Sequence, residues 1–263
     1  MNFFNFHTHT TRCGHAFGED EEYVKNAIRE GFHSLGFSDH IMLPGIRDVT
    51  MRGSVEIDLP DYLMSIGQLK EKYQSKIDIH IGFESEYYPE FDGYYKELLT
   101  TKKIEYLILG QHFPYIDGKF PHYKEVEDYV SDLIRGMDSG LFAYVAHPDM
   151  LTYFYKEEDE KMKNQILKII EAAKRNDIPL ELNLGKIVRN YVNGEIDIFK
   201  DIPFPYDYFW DLVGKNHIKV VIGLDAHKPQ ELSSKIYKYG LSYAKTHHLD
   251  VMNEEDFLKR IKS

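Results

Sequence analysis

The chain has 263 residues, 43% of them hydrophobic, enough for one large core, and no stretch approaches the roughly 20 unbroken apolar residues of a membrane span. Its net charge of −11 works against a broad nucleic-acid footprint, which needs a basic face, but not against a small phosphorylated ligand, because bound metal ions reverse the local potential. Cys13 is the lone cysteine, which excludes an intrachain disulfide; the start Met-Asn-Phe-Phe-Asn-Phe-His lacks the basic and apolar segments of a signal peptide, so a cytoplasmic protein is expected, binding neither membrane nor nucleic acid.

Short apolar runs alternate with segments of helical spacing, without internal repeats or linker-like shifts. A first strand is expected near 2–6 and leads into His7-Thr8-His9. A helix over 20–31 sets Tyr23, Val24, Ala27 and Ile28 on one stripe behind an acidic first turn. A strand at 34–38 leads into Asp39 and His40, a helix spans 60–74, and a strand at 77–83 leads into Glu84 and Glu86. A strand at 105–110 precedes His112, followed by a helix at 124–138 and a strand at 142–146 before His147. A helix over 159–176 aligns Met162, Ile166, Ile169, Ile170 and Ala173, and a strand at 179–183 ends on Asn183. A helix at 206–216, a strand at 218–224 before Asp225 and His227, and a helix at 229–247 complete the series.

Repeated strand-helix alternation predicts a parallel α/β fold. A chemically active residue at nearly every strand end favours a barrel, which gathers all strand C-termini at one mouth, over an open sheet. The expectation is a seven-stranded TIM-like barrel, 1–263 forming a single domain.

Seven of the thirteen histidines sit at these strand ends, with Glu84 and Asp225 as oxygen donors. Imidazole and carboxylate together suit Zn, Fe or Mn. His7 and His9, at i and i+2, share one face of a strand, as do Asp225 and His227. Taken singly, each item has an ordinary reading: an isolated His-x-His is more often a polar strand end, and Cys13, which could itself be a ligand, more often a small buried thiol. Chance does not place such residues at almost every strand end. Asp39 is expected to orient a histidine rather than bind metal. His33, His80, His217, His247 and His248 carry no such signal; His122, on a loop, is a weaker candidate for substrate contact.

These motifs resemble the polymerase-and-histidinol-phosphatase (PHP) superfamily: His7-Thr8-His9 with His15, Ser38-Asp39-His40, His147-Pro148 and Leu224-Asp225-Ala226-His227 occur in order. The segments 5–16, Gly82-Phe83-Glu84 and Glu181-Leu182-Asn183 are similar to its L-histidinol-phosphate phosphatase branch. The resemblance implies a distorted (β/α)7 barrel with three divalent transition-metal ions. His7, His9, Glu84 and Asp225 would hold one ion; Glu84 would bridge to a second, with His112 and His147; His15, His40 and His227 would hold the third. Glu86 departs from the pattern, since similar enzymes often carry Asp there, and basic residues are sparse after His147, the first being Lys156.

The expected activity is hydrolysis of a phosphate monoester, with L-histidinol phosphate the leading substrate, by a metal-activated hydroxide. Asp225 or His227 would carry the proton to the leaving group. Arg189, placed in the loop after the sixth strand, would clasp phosphate, with Arg12, Arg47, Arg52, Lys186 and Lys228 as other basic residues near the mouth and Glu195 as an acid that could pair with Arg189 instead. A tyrosine phosphatase, a nuclease of the same superfamily and a non-catalytic metal-binding module are the alternatives.

Overall fold

In the computed structural model, which describes residues 2–46, 51–101, 103–116, 118–194 and 205–262, the apolar runs become parallel strands ordered as in the sequence. They are β1 (Phe3–Asn5), β2 (Phe32–His40), β3 (Asp78–Ser85), β4 (Tyr106–Leu109), β5 (Tyr144–Val145), β6 (Leu180–Asn183), β7 (Lys219–Gly223) and β8 (Asp250–Val251). Parallel neighbours cannot be joined by hairpins, so helices run back outside the sheet. These are α1 (Asp20–Glu30), α2 (Asp58–Tyr73), α3 (Asp92–Thr100), α4 (Val126–Asp138), α5 (Glu160–Arg175), α6 (Gly185–Val192), α7 (Asp207–Lys215), α8 (Ser234–Thr246) and α9 (Glu254–Lys262). None of the described helices is long and apolar enough to cross a membrane.

The helices begin and end where side-chain chemistry dictates. Glu19 and Glu22 form a reciprocal capping box on α1, and Gly31, at φ 81°, closes it in the left-handed conformation. Asp159 accepts from the Met162 N–H at the start of α5, whose Met162, Ile166, Ile169 and Ile170 are fully buried against the sheet. Each such side chain contributes about 1.5–3 kcal/mol through burial.

The sheet curls so that the chain beyond β1 meets the chain beyond β7. Thr8 and Ala226 form a parallel bridge, the His9 N–H donating to Ala226 O at 2.8 Å and the Ala226 N–H to His7 O at 3.1 Å. At the opposite end an aromatic plug fills the curl: Phe257 of α9 packs on Phe4, Phe6 and Tyr144, with ring centroids 5.6, 4.6 and 5.7 Å away. The Tyr106 hydroxyl donates to Phe6 O and Phe37 O, tying three strands together above the plug.

Several expectations need correction. The sheet has eight strands, not seven, the added β8 pairing with β7 over two residues. β2 continues through Asp39 and His40, because Ser38, Asp39 and His40 stay in register with Gly82, Phe83 and Glu84. The helix expected over 229–247 is two pieces: a short turn at Pro229–Glu231, then α8, which Ser233 caps through the Ile236 N–H. Arg189 lies on a helix rather than in a loop, since α6 forms with Ile187 and Val188 buried and Asn183 Oδ1 accepting from the Gly185 N–H.

Candidate metal centre

The alternation after β1 points His7 and His9 inward, with ring centroids 5.2 Å apart. Across the mouth, β3 delivers Glu84, buried with 1% exposure. Its carboxylate is the hub. Oε2 lies 3.4 Å from His7 Nε2, 3.4 Å from His9 Nε2 and 3.2 Å from His40 Nδ1. Oε1 lies 3.4 Å from His112 Nε2 and 2.8 Å from His147 Nε2. Asp225 Oδ1 stands 3.6 Å from His7 Nε2 and 3.3 Å from His9 Nε2.

Beside this hub, His15 and His227 stack at 4.8 Å and His15 and His40 are 5.3 Å apart. Donor atoms converge in separate groups: His7, His9 and Glu84; Glu84, His112 and His147; His15, His40 and His227. A further group joins Cys13 to His9 and His227, so the fully buried thiol lies within reach of the same centre. All nine residues expected from the strand ends are thus at one mouth.

The backbone makes room for these carboxylates. A side chain at Gly110 would collide with Glu84, and one at Gly223 with Glu181. His147 and Asp225 both hold left-handed φ angles, 33° and 47°, which cost a non-glycine residue on the order of 1–3 kcal/mol and concentrate at functional sites.

The donor set fits divalent metal ions. His7 Nε2 and His9 Nε2, which both face Glu84 and Asp225, are buried without a hydrogen-bond partner, a costly arrangement unless an ion takes the ring lone pair. Burial works against ionised carboxylates, yet His112, His7 and His40 hold Glu84, and His7 and Arg189 hold Asp225, well below the usual carboxylate range. Burial, reinforced by the neighbouring His9, pushes His40 and His227 well below the usual histidine range, leaving them neutral. Burial also opposes charge on His7, but Glu181, Glu84 and Asp225 raise it to about 10, so a proton there stands in for a cation.

Outer partners orient the rings. His7 Nδ1 donates to Glu181 Oε1 at 2.8 Å, while Glu181 Oε2 accepts from the His147 N–H and Asn183 Nδ2. His15 Nδ1 lies 3.0 Å from Cys13 O and His227 Nδ1 3.0 Å from Asp225 O, directing their Nε2 atoms inward. Asp39, expected to orient a histidine, accepts from Thr10 and the His40 N–H and stands 3.6 Å from His9 Nδ1, beyond hydrogen-bond distance. Glu181 was missed as an orienting residue. Its signal was a carboxylate in the apolar run Leu180-Glu181-Leu182, facing the same way as Asn183.

The mouth opens into a cavity of about 430 Å³ that Phe17, Met51, Arg189, Asn193, Lys228 and Glu231 line together with the histidines. Arg189 Nη1 donates to Asp225 O at 3.1 Å, and Nη2 stands 3.5 Å from Asp225 Oδ2. Of the other basic residues, Arg12 is paired with Asp20 and Asp61, Arg52 is buried against Glu86, and Lys228 reaches Asn193. Lys186 opens α6 next to Gly185. Arg47 and Glu195 lie outside the described residues. His122 is exposed and packs on Phe113, whose ring lies 6.2 Å from that of His112. His80 is bonded to Glu105 near the far end of β3.

The family model described as "PHP domain" matches residues 5–184. The chain is 25% identical over 240 residues to the "Probable histidinol-phosphatase" of Deinococcus radiodurans, covering 86% of each chain. It is 24% identical over 258 residues to the histidinol-phosphatase of Bacillus subtilis, covering 84% of this chain and 92% of that one. Its fold is similar to that of the Lactococcus lactis histidinol phosphate phosphatase solved with zinc, L-histidinol and phosphate, at a TM-score of 0.68, 17% identity and 95% coverage of both chains.

Proposed function

The chain belongs to the PHP domain family, and from that premise we propose that it is a histidinol-phosphatase, converting L-histidinol phosphate and water to L-histidinol and phosphate in histidine biosynthesis. The observation that carries the reading is the two-sided Glu84 carboxylate, with His7, His9 and His40 at one oxygen and His112 and His147 at the other.

The convergence of donor atoms around Glu84 supports the ligand assignment that the family resemblance implies. His7, His9, Glu84 and Asp225 would hold one ion, Glu84, His112 and His147 a second, and His15, His40 and His227 a third, each being Zn, Fe or Mn by donor type. When bound, the ions supply positive charge for the phosphate oxygens and acidify the attacking water. The seven strands that bear or neighbour these ligands we read as a (β/α)7 barrel closed by the Thr8–Ala226 bridge, with 1–263 as one domain.

The protein's own groups position the ester. His227 Nδ1 donates to Asp225 O, so it cannot also accept from Arg189, whose Nη1 is 3.2 Å away. Of the five guanidinium N–H groups, those not used by Asp225 would donate to phosphate oxygens. Asp225 and His227 are each about one-eighth exposed in the side chain, and either would take the proton lost by the attacking water and pass it to the leaving alkoxide. No side-chain nucleophile is required, so no phosphoenzyme forms.

Phosphate release by the metal-replete protein from L-histidinol phosphate, a phosphotyrosine peptide and single-stranded DNA tests the reading. Turnover should favour histidinol phosphate. Preference for either of the others would replace the substrate assignment, and no turnover at full metal occupancy would return the chain to a metal-binding module.

A further inference from the structure

His112 is oriented by a residue that is itself held in an unusual way. Its Nδ1 lies 3.3 Å from Glu86 Oε1, while Nε2, on the other side of the ring, lies 3.4 Å from Glu84 Oε1. Glu86 is fixed from behind. The Arg52 guanidinium donates through Nη2 to Oε1 at 3.2 Å and to Oε2 at 3.1 Å, and sits 4.9 Å over the Phe120 ring. Both side chains are essentially inaccessible, at 0% for Arg52 and 2% for Glu86. The Glu86 backbone is pinned as well, its carbonyl accepting from the Ser85 and Tyr95 hydroxyls.

The contrast with His7 is informative. Glu181 backs His7 while accepting from neutral groups, the His147 N–H and the Asn183 amide. Glu86 backs His112 while paired with a full positive charge. A buried ion pair is a poor way to gain stability, since desolvation of two charges offsets much of their attraction. Its placement against one ring of the metal centre supplies another reason for it. A carboxylate on Nδ1 fixes the tautomer that leaves Nε2 free for an ion and limits rotation of the ring. Arg52, next in sequence to Met51 of the cavity wall, holds that carboxylate in place.

We propose that Glu86 is the positioning residue for His112, and that Arg52 holds Glu86 for this purpose rather than for stability. The inference rests on the metal-centre reading above. It is tested by titrating Zn²⁺ into chelator-stripped protein against a chromogenic chelator, with Tm measured on the same samples. In R52M/E86M an apolar pair replaces the ion pair, so Tm stays near that of the wild type. Affinity should nevertheless fall about 10- to 100-fold for one class of ion, with the other classes unchanged. Wild-type Zn²⁺ affinity in a stably folded R52M/E86M would overturn the proposal. Should that variant not fold, E86Q, equal in size and still able to contact Arg52, should show about a tenfold loss for the same class; wild-type affinity there would overturn it equally. A wild-type chain that takes up no Zn²⁺ would overturn the metal centre and this proposal together, a result distinct from equal binding by wild type and variant.

Discussion

Glu181 reaches across the barrel to His7, 174 positions away in the chain, and accepts from its Nδ1 at 2.8 Å with neither side chain exposed. The other oxygen of the same carboxylate takes the His147 N–H, so one residue on β6 supports two strand ends that face Glu84. In Glu181→Gln, one oxygen becomes an amide and meets a donor whichever way it turns, a cost of about 1–3 kcal/mol. Metal affinity should fall about 10- to 100-fold, measured by chelator competition. Unchanged affinity and Tm would show that Glu181 does not support the centre.

Metal content is the most direct check on the ligand groups. Protein purified without chelator should carry close to three transition-metal ions per chain by elemental analysis, since nine donors converge around Glu84 and its neighbours. Removing them should lower Tm, because an ion that binds only the folded chain stabilises it by mass action, and should abolish phosphate release until metal is returned. A ratio that stays near one under metal-replete conditions excludes the three-ion arrangement.

Away from the mouth, Glu105 gives a pH signature of its own. Burial opposes its charge, but His80 Nδ1 at 2.8 Å and Lys70 Nζ at 2.6 Å lower it to about 2 from an ordinary value of 4.5. A depressed carboxylate contributes stability above its unfolded value and loses it as pH falls through the folded one. The Tm gap between wild type and Glu105→Gln should be widest near neutrality and shrink as pH falls from about 4.5 toward 2. A gap that does not change with pH would mean the charge of Glu105 contributes nothing.

The metal ligands were legible because a strand alternates with a period of two and ends at a defined edge, so His7 with His9 declares a shared face without any knowledge of the third dimension. Their outer partners were harder to read. Glu181 lies 174 positions from the ring it serves, and pairing at that range depends on which strands become neighbours. The short elements failed for local reasons. α6 opens on Gly185 and ends by Asn193, both weak in helices, and forms because Ile187 and Val188 find the core. β8 has two residues, too few to show alternation, and exists because β7 offers it an edge. α9, absent from the expected elements, carries a local signal all the same: Asn253 caps it through the Asp256 N–H, and Phe257, Leu258 and Ile261 make an apolar stripe.

Arg189 is the residue on which substrate binding is most exposed to test. It projects from α6 toward the rim, 38% exposed in its side chain, with Nη1 on Asp225 O and Nη2 3.5 Å from Asp225 Oδ2. These contacts set the guanidinium beside a group that would hold an ion, so a phosphate there could meet metal charge on one side and guanidinium on the other. A bidentate guanidinium–phosphate pair in a partly dry site is worth a few kcal/mol, which puts the loss in kcat/KM for Arg189→Ala on the order of 10²-fold. Arg189→Lys restores charge but not the fork, and should recover only part of that loss. Metal content should be unchanged in both variants, since arginine is no ligand, which separates loss of substrate binding from damage to the centre. Unchanged kinetics in Arg189→Ala would transfer the phosphate contact to another basic side chain, of which Lys228 lines the cavity among the described residues.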